Sequence, residues 1–213
     1  MKKNFRFLSA VLAACMSLTM FAGAVDTSAE TETLTGTVHI MNDDGSMVDI
    51  PYEYVVPVDA EEEEADEIGM QAACQIAQGN DNARGISNMT TVFKKVYSDN
   101  GMKFEIPRGS AELSDVAISR RLSQDLDAVA LVVKGLSGCN RLNASVYNKS
   151  HDEETVYKVE TASSNMEVMF FNRCVADDGH SILFLDEGDR IEGRISADRT
   201  CSATAFYMLG LVY

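Results

Sequence analysis

Residues Val129-Ala130-Leu131-Val132-Val133 form an unbroken apolar run that decides the fold class. Successive side chains of a β-strand point to opposite faces of the sheet, so this run is apolar on both of its faces. Such a strand is expected at the centre of a sheet that is covered on both sides. The run therefore predicts the central strand of a layered β protein.

The sequence around this run repeats a pattern of short strands and turns. Tyr157 and Val159 alternate with polar neighbours, and so do Ile191 and Ile195, which is typical of half-buried strands. Segments rich in Gly, Asn and Asp separate the strands. We therefore expect a mainly β fold over residues 88–213, an antiparallel β-sandwich or jelly roll of about 8–10 strands. A β-barrel is the alternative.

Two smaller segments precede this region. Residues 25–58 are predicted to form an N-terminal β-hairpin arm, with a turn at residues 42–45. Two strands alone are marginally stable, so the arm either docks on the main domain or is a propeptide-like unit. Residues 59–67 are almost entirely acidic and repel one another, which predicts an extended or fraying linker. We expect this acidic linker to span residues 59–87, with a short helix at residues 68–78.

The first 24 residues have the features of a bacterial signal peptide. Lys2, Lys3 and Arg6 precede an apolar stretch, and Ala22-Gly23-Ala24 has the small residues of a cleavage site. The tract is followed by acidic residues rather than by a basic stop-transfer cluster. We therefore expect residues 1–24 to be removed and the protein to be secreted or extracytoplasmic.

An alternative form of export is lipid attachment. The tetrad Leu12-Ala13-Ala14-Cys15 resembles the lipobox of bacterial lipoproteins, in which the cysteine is acylated and becomes the new N-terminus. The apolar run continues well past Cys15, which favours cleavage near Ala24 over an anchor at Cys15.

The mature chain is strongly acidic. Removal of three signal-peptide cations leaves 15 basic and 33 acidic side chains, a net charge of −18. Like charges repel, so nucleic acid and anionic membrane surfaces are not expected as partners. The apolar stretch that begins at Ala205 is too short to span a bilayer, and no transmembrane segment is expected in the mature chain.

Four cysteines remain after cleavage: Cys74, Cys139, Cys174 and Cys201. An even number outside the cytoplasm predicts up to two disulfides, and the wide spacings lack the character of a zinc or redox motif. If the strands after residue 129 formed a simple up-and-down meander, Cys174 and Cys201 would lie at one end and Cys139 at the other. That arrangement favours a bond between Cys174 and Cys201 and, by elimination, one between Cys74 and Cys139.

Catalytic and metal-binding motifs are not evident. The histidines are His39 in the arm and His151 and His180 in turns, and surface-loop roles are expected for the latter two. Acidic residues are too numerous for a catalytic pair to be chosen; the candidates include Glu105, Glu167, Asp186, Glu187 and Asp189. The acidic turns at residues 42–45 and 177–179 offer oxygen ligands for Ca²⁺ but do not match the EF-hand spacing. We therefore expect neither a catalytic site nor a cofactor, with Ca²⁺ as the one alternative.

These observations favour a non-enzymatic extracellular β-sandwich that binds a ligand or a protein partner through its loops. A structural or adhesive surface subunit, in which the hairpin arm pairs with the sheet edge of a neighbour, is the second hypothesis. A hydrolase that uses two carboxylates is the third.

Overall fold

The computed structural model describes residues 30–41, 47–78, 90–97, 103–111, 116–160, 165–175 and 181–212. Within these ranges the chain forms fourteen strands and one helix. The elements are β1 (Thr31–Met41), β2 (Met47–Pro57), α1 (Glu62–Gln78), β3 (Thr90–Val96), β4 (Phe104–Ile106), β5 (Val116–Arg121), β6 (Ala128–Lys134), β7 (Leu142–Asn148), β8 (Glu153–Val159), β9 (Met166–Asn172), β10 (Cys174–Val175), β11 (Ser181–Leu183), β12 (Arg190–Ala197), β13 (Cys201–Ala203) and β14 (Ala205–Val212).

Two main sheets form the sandwich. The larger has the strand order β2-β1-β9-β6-β14-β3, and the smaller has the order β5-β12-β7-β8. Both sheets have two open edges in the described part of the chain, so the fold is a β-sandwich and the barrel alternative is wrong. Two short ribbons, β13 with β4 and β10 with β11, complete the β structure of these residues.

Strand β6 contains the apolar run and lies inside the larger sheet. Val129, Leu131 and Val133 face an apolar cluster between the two sheets, whereas Ala130 and Val132 face a second cluster under α1. All five side chains are fully buried. The prediction of a central strand covered on both faces is therefore confirmed.

The sheets approach closely at Gly193 of β12. A Cβ atom at this position would lie 2.5 Å from Leu131 Cδ2 and 3.1 Å from Met208 Sδ. The absence of a side chain at Gly193 lets β12 pack directly on β6 and β14.

Helix α1 begins inside the acidic stretch, six residues before the expected start at residue 68. Its first turn contains three glutamates, which stabilise the positive end of the helix dipole. Asp66 and Glu62 both form ion pairs with Lys134 of β6. These contacts explain why residues 62–67 are helical rather than extended. No helix in the described ranges is long and apolar enough to cross a membrane.

The N-terminal hairpin forms one edge of the larger sheet. Residues 36–40 of β1 pair in parallel with residues 166–170 of β9, and β2 is the outer strand. Val38 and Ile40 are fully buried in the cluster under α1. The hairpin therefore docks on the sandwich, which is the first of the two arrangements considered for the arm.

The strands after residue 129 do not form a simple meander. The chain passes from β6 in the larger sheet to β7 and β8 in the smaller one, returns to β9, and later passes from β12 back to β14. The premise for the expected cysteine pairing is therefore wrong. A chain that buries two sheets against each other must cross from one sheet to the other. The periodicity within a strand does not show where these connections lie.

Candidate functional site

Four chain segments meet at one end of the sandwich, which we call the loop end. They are residues 122–127 before β6, residues 148–153 around the turn between β7 and β8, Arg173 after β9, and residues 184–190 before β12. Antiparallel pairing of these strands brings the segments to the same end. The loop end is thus built on strands from both sheets.

A buried pair of polar side chains anchors the loop end. Asn148 is fully buried at the end of β7, and its Nδ2 donates to Asp189 Oδ2 and to the carbonyl of Phe184, both at 2.8 Å. Asp189 is 7% exposed and also accepts a hydrogen bond from the Asp186 amide at 3.2 Å. Buried polar groups require such partners, so this pair fixes the segment from Phe184 to Asp189 against β7.

The remaining segments are attached by further hydrogen bonds. The Leu122 amide donates to the carbonyl of Asp189 at 2.8 Å, and the Gly188 amide donates to the carbonyl of Leu122 at 3.0 Å. Asp125 Oδ1 accepts from the Glu187 amide at 2.8 Å. Arg173 forms an ion pair with Asp186. The loop end is therefore a preorganised surface.

The loop end has an excess of negative charge. Its four segments carry seven acidic residues and three lysines or arginines, together with one histidine. The acidic residues are Asp125, Asp127, Asp152, Glu153, Asp186, Glu187 and Asp189, and the basic ones are Lys149, Arg173 and Arg190. Such a surface attracts cationic groups.

Three side chains of the loop end lie close enough to one another to share a metal ion. His151, Asp186 and Asp189 each offer one ligand atom, and these atoms all lie within 4.8 Å of one another. His151 Nε2 is 3.3 Å from Asp189 Oδ1, and the imidazole packs on the Phe184 ring with the centroids 5.3 Å apart. One imidazole with two carboxylates suits a first-row divalent ion such as Zn²⁺. Asp186 is already paired with Arg173, so an ion at this position competes with the guanidinium.

His39 is fully buried between two carboxylates. Its Nδ1 is 2.8 Å from Asp49 Oδ1 of β2, and its Nε2 is 2.7 Å from Glu167 Oε2 of β9. Burial opposes the charged imidazolium, but hydrogen bonds to Glu167 and Asp49 outweigh this effect and raise the pKa of His39 above 6.5. Both ring nitrogens are occupied by acceptors, so this cluster binds the hairpin to β9.

The other candidates from the sequence are dispersed. Glu105 is exposed on β4, whereas Asp186, Glu187 and Asp189 all lie at the loop end. The acidic turns at residues 42–45 and 177–179, His180 and the predicted signal segment lie outside the described residues. Sequence reasoning missed Asn148 as the anchor of the site. Asn148 ends a strand in which apolar and polar residues alternate, and the sequence does not show that it is buried against Asp189. Its role as an anchor is therefore evident only from the structure.

The structure describes the side chains of three of the four cysteines and places two of them together. Cys139 and Cys201 lie in the cluster between the two sheets, and their thiols hydrogen-bond to each other. Cys74 is on α1 and packs on the opposite side of the larger sheet. Cys74, Cys139 and Cys201 are free thiols in the structure. Cys74 and Cys139 are therefore not neighbours, and Cys201 adjoins Cys139.

Comparisons with known proteins do not identify a family for this chain. No family model and no curated protein matches the chain. Two solved structures show a weak resemblance: a serine protease of Aeromonas sobria, and the same protease in complex with its chaperone. In each case the TM-score is 0.34, the identity is 7%, and the match covers 83% of this chain and 36% of the other. The chain thus spans about a third of those proteins, and a resemblance this weak carries no argument about function.

Proposed function

We propose that the protein is an exported, non-enzymatic β-sandwich that binds an extracellular ligand or protein partner through the acidic loop end. The observation that carries this proposal is that hydrogen bonds and ion pairs hold four loop segments together around the buried pair of Asn148 and Asp189. Binding residues are commonly found on loops that a rigid scaffold positions. A surface that is already ordered loses less conformational entropy on binding, which favours affinity.

The charge of the loop end supports a cationic ligand or a partner with a basic surface. Asp125, Asp152 and Glu187 are exposed, and the three basic residues of the loop end do not balance its acidic ones. Complementary charge accelerates association and selects among partners. The His151, Asp186 and Asp189 group adds a point at which a divalent ion can bridge protein and ligand.

A binding role agrees better than a catalytic one with the contacts of the described histidines and acids. Both nitrogens of His39 face carboxylates. Asp189 accepts hydrogen bonds from Asn148 and from the Asp186 amide, and Asp186 is paired with Arg173. Carboxylates held in this way serve as structural acceptors and ion-pair partners rather than as a free acid and base.

The alternative of an adhesive subunit, in which the hairpin pairs with the sheet edge of a neighbour, has less support. The Val58 amide donates to the carbonyl of Glu30 at 2.8 Å, and the register of β1 with β2 is regular. The alternation of antiparallel pairs then places Pro51 and Pro57 at positions whose backbone nitrogens face outward. Proline has no N–H group, so these residues remove donors that an incoming strand requires.

An array screen with charge-matched variants tests the proposal. The wild-type protein is applied to extracellular glycan and protein arrays in zinc chloride and, in parallel, in EDTA. The loop-end variant Asp125→Asn/Asp152→Asn/Glu187→Gln removes three exposed charges while keeping oxygen acceptors at each position. The control variant Glu61→Gln/Glu63→Gln/Glu64→Gln removes three exposed charges near the start of α1.

We expect wild-type and control proteins to share their binding partners and the loop-end variant to bind them at least about tenfold more weakly, a change of about 1.4 kcal/mol. Loss of binding in EDTA assigns the ion a bridging role. The absence of any partner, or equal losses in the two variants, contradicts the proposal.

A further inference from the structure

Cys139 and Cys201 lie side by side at the end of the sandwich opposite to the loop end. Cys139 belongs to the connection between β6 and β7, and Cys201 begins β13 after the connection from β12. Both residues are buried, at 8% and 6% exposure, and their thiols hydrogen-bond to each other. The two sulfur atoms therefore share one small apolar space.

The backbone holds the two residues together. The Ser137 amide donates to the carbonyl of Ser202 at 2.8 Å, and the Ser202 amide donates to the carbonyl of Ser137 at 2.9 Å. Gly138 follows with φ at 92°, a conformation that favours glycine. A Cβ atom on Gly138 would lie 3.8 Å from Cys201 Cβ, so the chain passes Cys201 at van der Waals distance just before Cys139.

We propose that Cys139 and Cys201 form a disulfide in the mature protein, and that this bond joins two of the connections that cross between the sheets. The connection after β6 leads from the larger sheet to the smaller one. The connection after β12 leads back toward β14 in the larger sheet. One bond therefore fastens both crossings at a single end of the sandwich and leaves the loop end untouched.

The bond forms by exchange with an oxidising disulfide, either a small molecule or a protein. One cysteine thiolate attacks the oxidant and forms a mixed disulfide, and the thiolate of the second cysteine then displaces the oxidant's sulfur. Two protons and two electrons leave the cysteine pair, and the oxidant becomes a dithiol or two thiols.

Burial determines when this exchange takes place. Burial in the apolar cluster and the neighbouring Cys139 raise the pKa of Cys201 to about 12, and burial also raises the pKa of Cys139. Thiolates are the reactive species, so both thiols react slowly once the sandwich has closed. We therefore expect the bond to form during folding.

Peptide mapping tests this pairing directly. The denatured, reduced chain without residues 1–24 is refolded in a mixture of oxidised and reduced glutathione, free thiols are blocked with iodoacetamide in denaturant, and the protein is digested without reductant. We expect a linked pair of peptides that contain Cys139 and Cys201, with Cys74 alkylated. The variant Cys74→Ser should give the same linked pair.

Three results overturn the proposal. They are a bond from Cys201 to Cys74 or Cys174, a bond from Cys139 to Cys74 or Cys174, and alkylation of both Cys139 and Cys201 after oxidative refolding. Because the readout uses the wild-type chain, it does not depend on whether Cys139→Ser or Cys201→Ser folds. Where Cys139→Ser does fold, Cys201 should become alkylated in denaturant.

Discussion

His39 shows how one buried side chain couples the hairpin to the rest of the sandwich. It is fully buried on β1, and its two carboxylate partners come from the strands on either side, β2 and β9. Glu167 is also fully buried. A buried charge requires a partner, so protonation of His39 supplies a positive charge between the two carboxylates.

The pH dependence of stability follows from this arrangement. The pKa of His39 is higher in the folded protein than its ordinary value of 6.5. The stabilisation is therefore fully present below about pH 6.5 and is lost as the pH rises through the folded-state pKa. We expect the free energy of unfolding in urea to fall as the pH increases above about 6.5.

The variant His39→Gln isolates this contribution from that of the other titrating groups of the protein. It should be less stable than the wild type by about 3 kcal/mol or more at pH 6, because it removes the imidazolium that contacts the fully buried Glu167 carboxylate. Its stability should also change less with pH above 6.5. Parallel pH profiles for the two proteins would show that His39 is not the titrating group.

Asn148 has a comparable role at the loop end. Replacement by alanine removes the donor that serves both Asp189 and the carbonyl of Phe184. We expect Asn148→Ala to lower the free energy of unfolding by about 1–3 kcal/mol, since a buried carboxylate loses a hydrogen bond. Asn140→Ala, at an exposed asparagine of the opposite end, should change it by less than about 0.5 kcal/mol. Urea denaturation of both variants measures the difference, and equal effects would contradict an anchoring role.

The hairpin of β1 and β2 is stabilised by a close contact between a glycine and an aromatic ring. Gly36 pairs with Tyr52 across the two strands, and a Cβ atom at position 36 would lie 2.3 Å from Tyr52 Cζ. The tyrosine hydroxyl donates to the carbonyl of Gly69 in α1 at 3.2 Å. The ring therefore occupies the space above Gly36 and connects the hairpin to the helix.

Substitution at Gly36 should disturb this contact. We expect Gly36→Ala to destabilise the protein by about 1–3 kcal/mol, because the added methyl group must displace a buried ring. Thr33→Ala, on an exposed position of the same strand, is the control and should change stability by less than about 0.5 kcal/mol. Thermal unfolding followed by circular dichroism measures both, and an unaltered melting temperature for Gly36→Ala would contradict the contact.

The sequence predicted most of the strands, but it did not predict the residue at which α1 begins. Alternation of apolar residues located strands such as β8 and β12, because the period of two directly reports burial of one face. The like charges of residues 59–67 predicted a linker. The sequence does not show that Lys134 lies next to Asp66 and offsets part of this repulsion. That ion pair depends on residues 68 positions apart in the chain, which local patterns cannot reveal.

Across the whole molecule, the two ends of the sandwich differ in character. One end gathers acidic loops on the buried pair of Asn148 and Asp189, and the other brings Cys139 and Cys201 together where the chain crosses between the sheets. Neither grouping was visible in the sequence, since each depends on the order of strands in two sheets. The acids Asp186, Glu187 and Asp189 were recognised as candidates, but only the fold separates them from the many other acidic residues.

The most direct test of the binding role is hydrogen–deuterium exchange of the wild-type protein with and without a partner obtained from the arrays. We expect slower exchange on binding in residues 122–127, 148–153 and 184–190, with little change in β2 and β3 at the edges of the larger sheet. Protection confined to those edge strands, with unchanged exchange at the loop end, would contradict it.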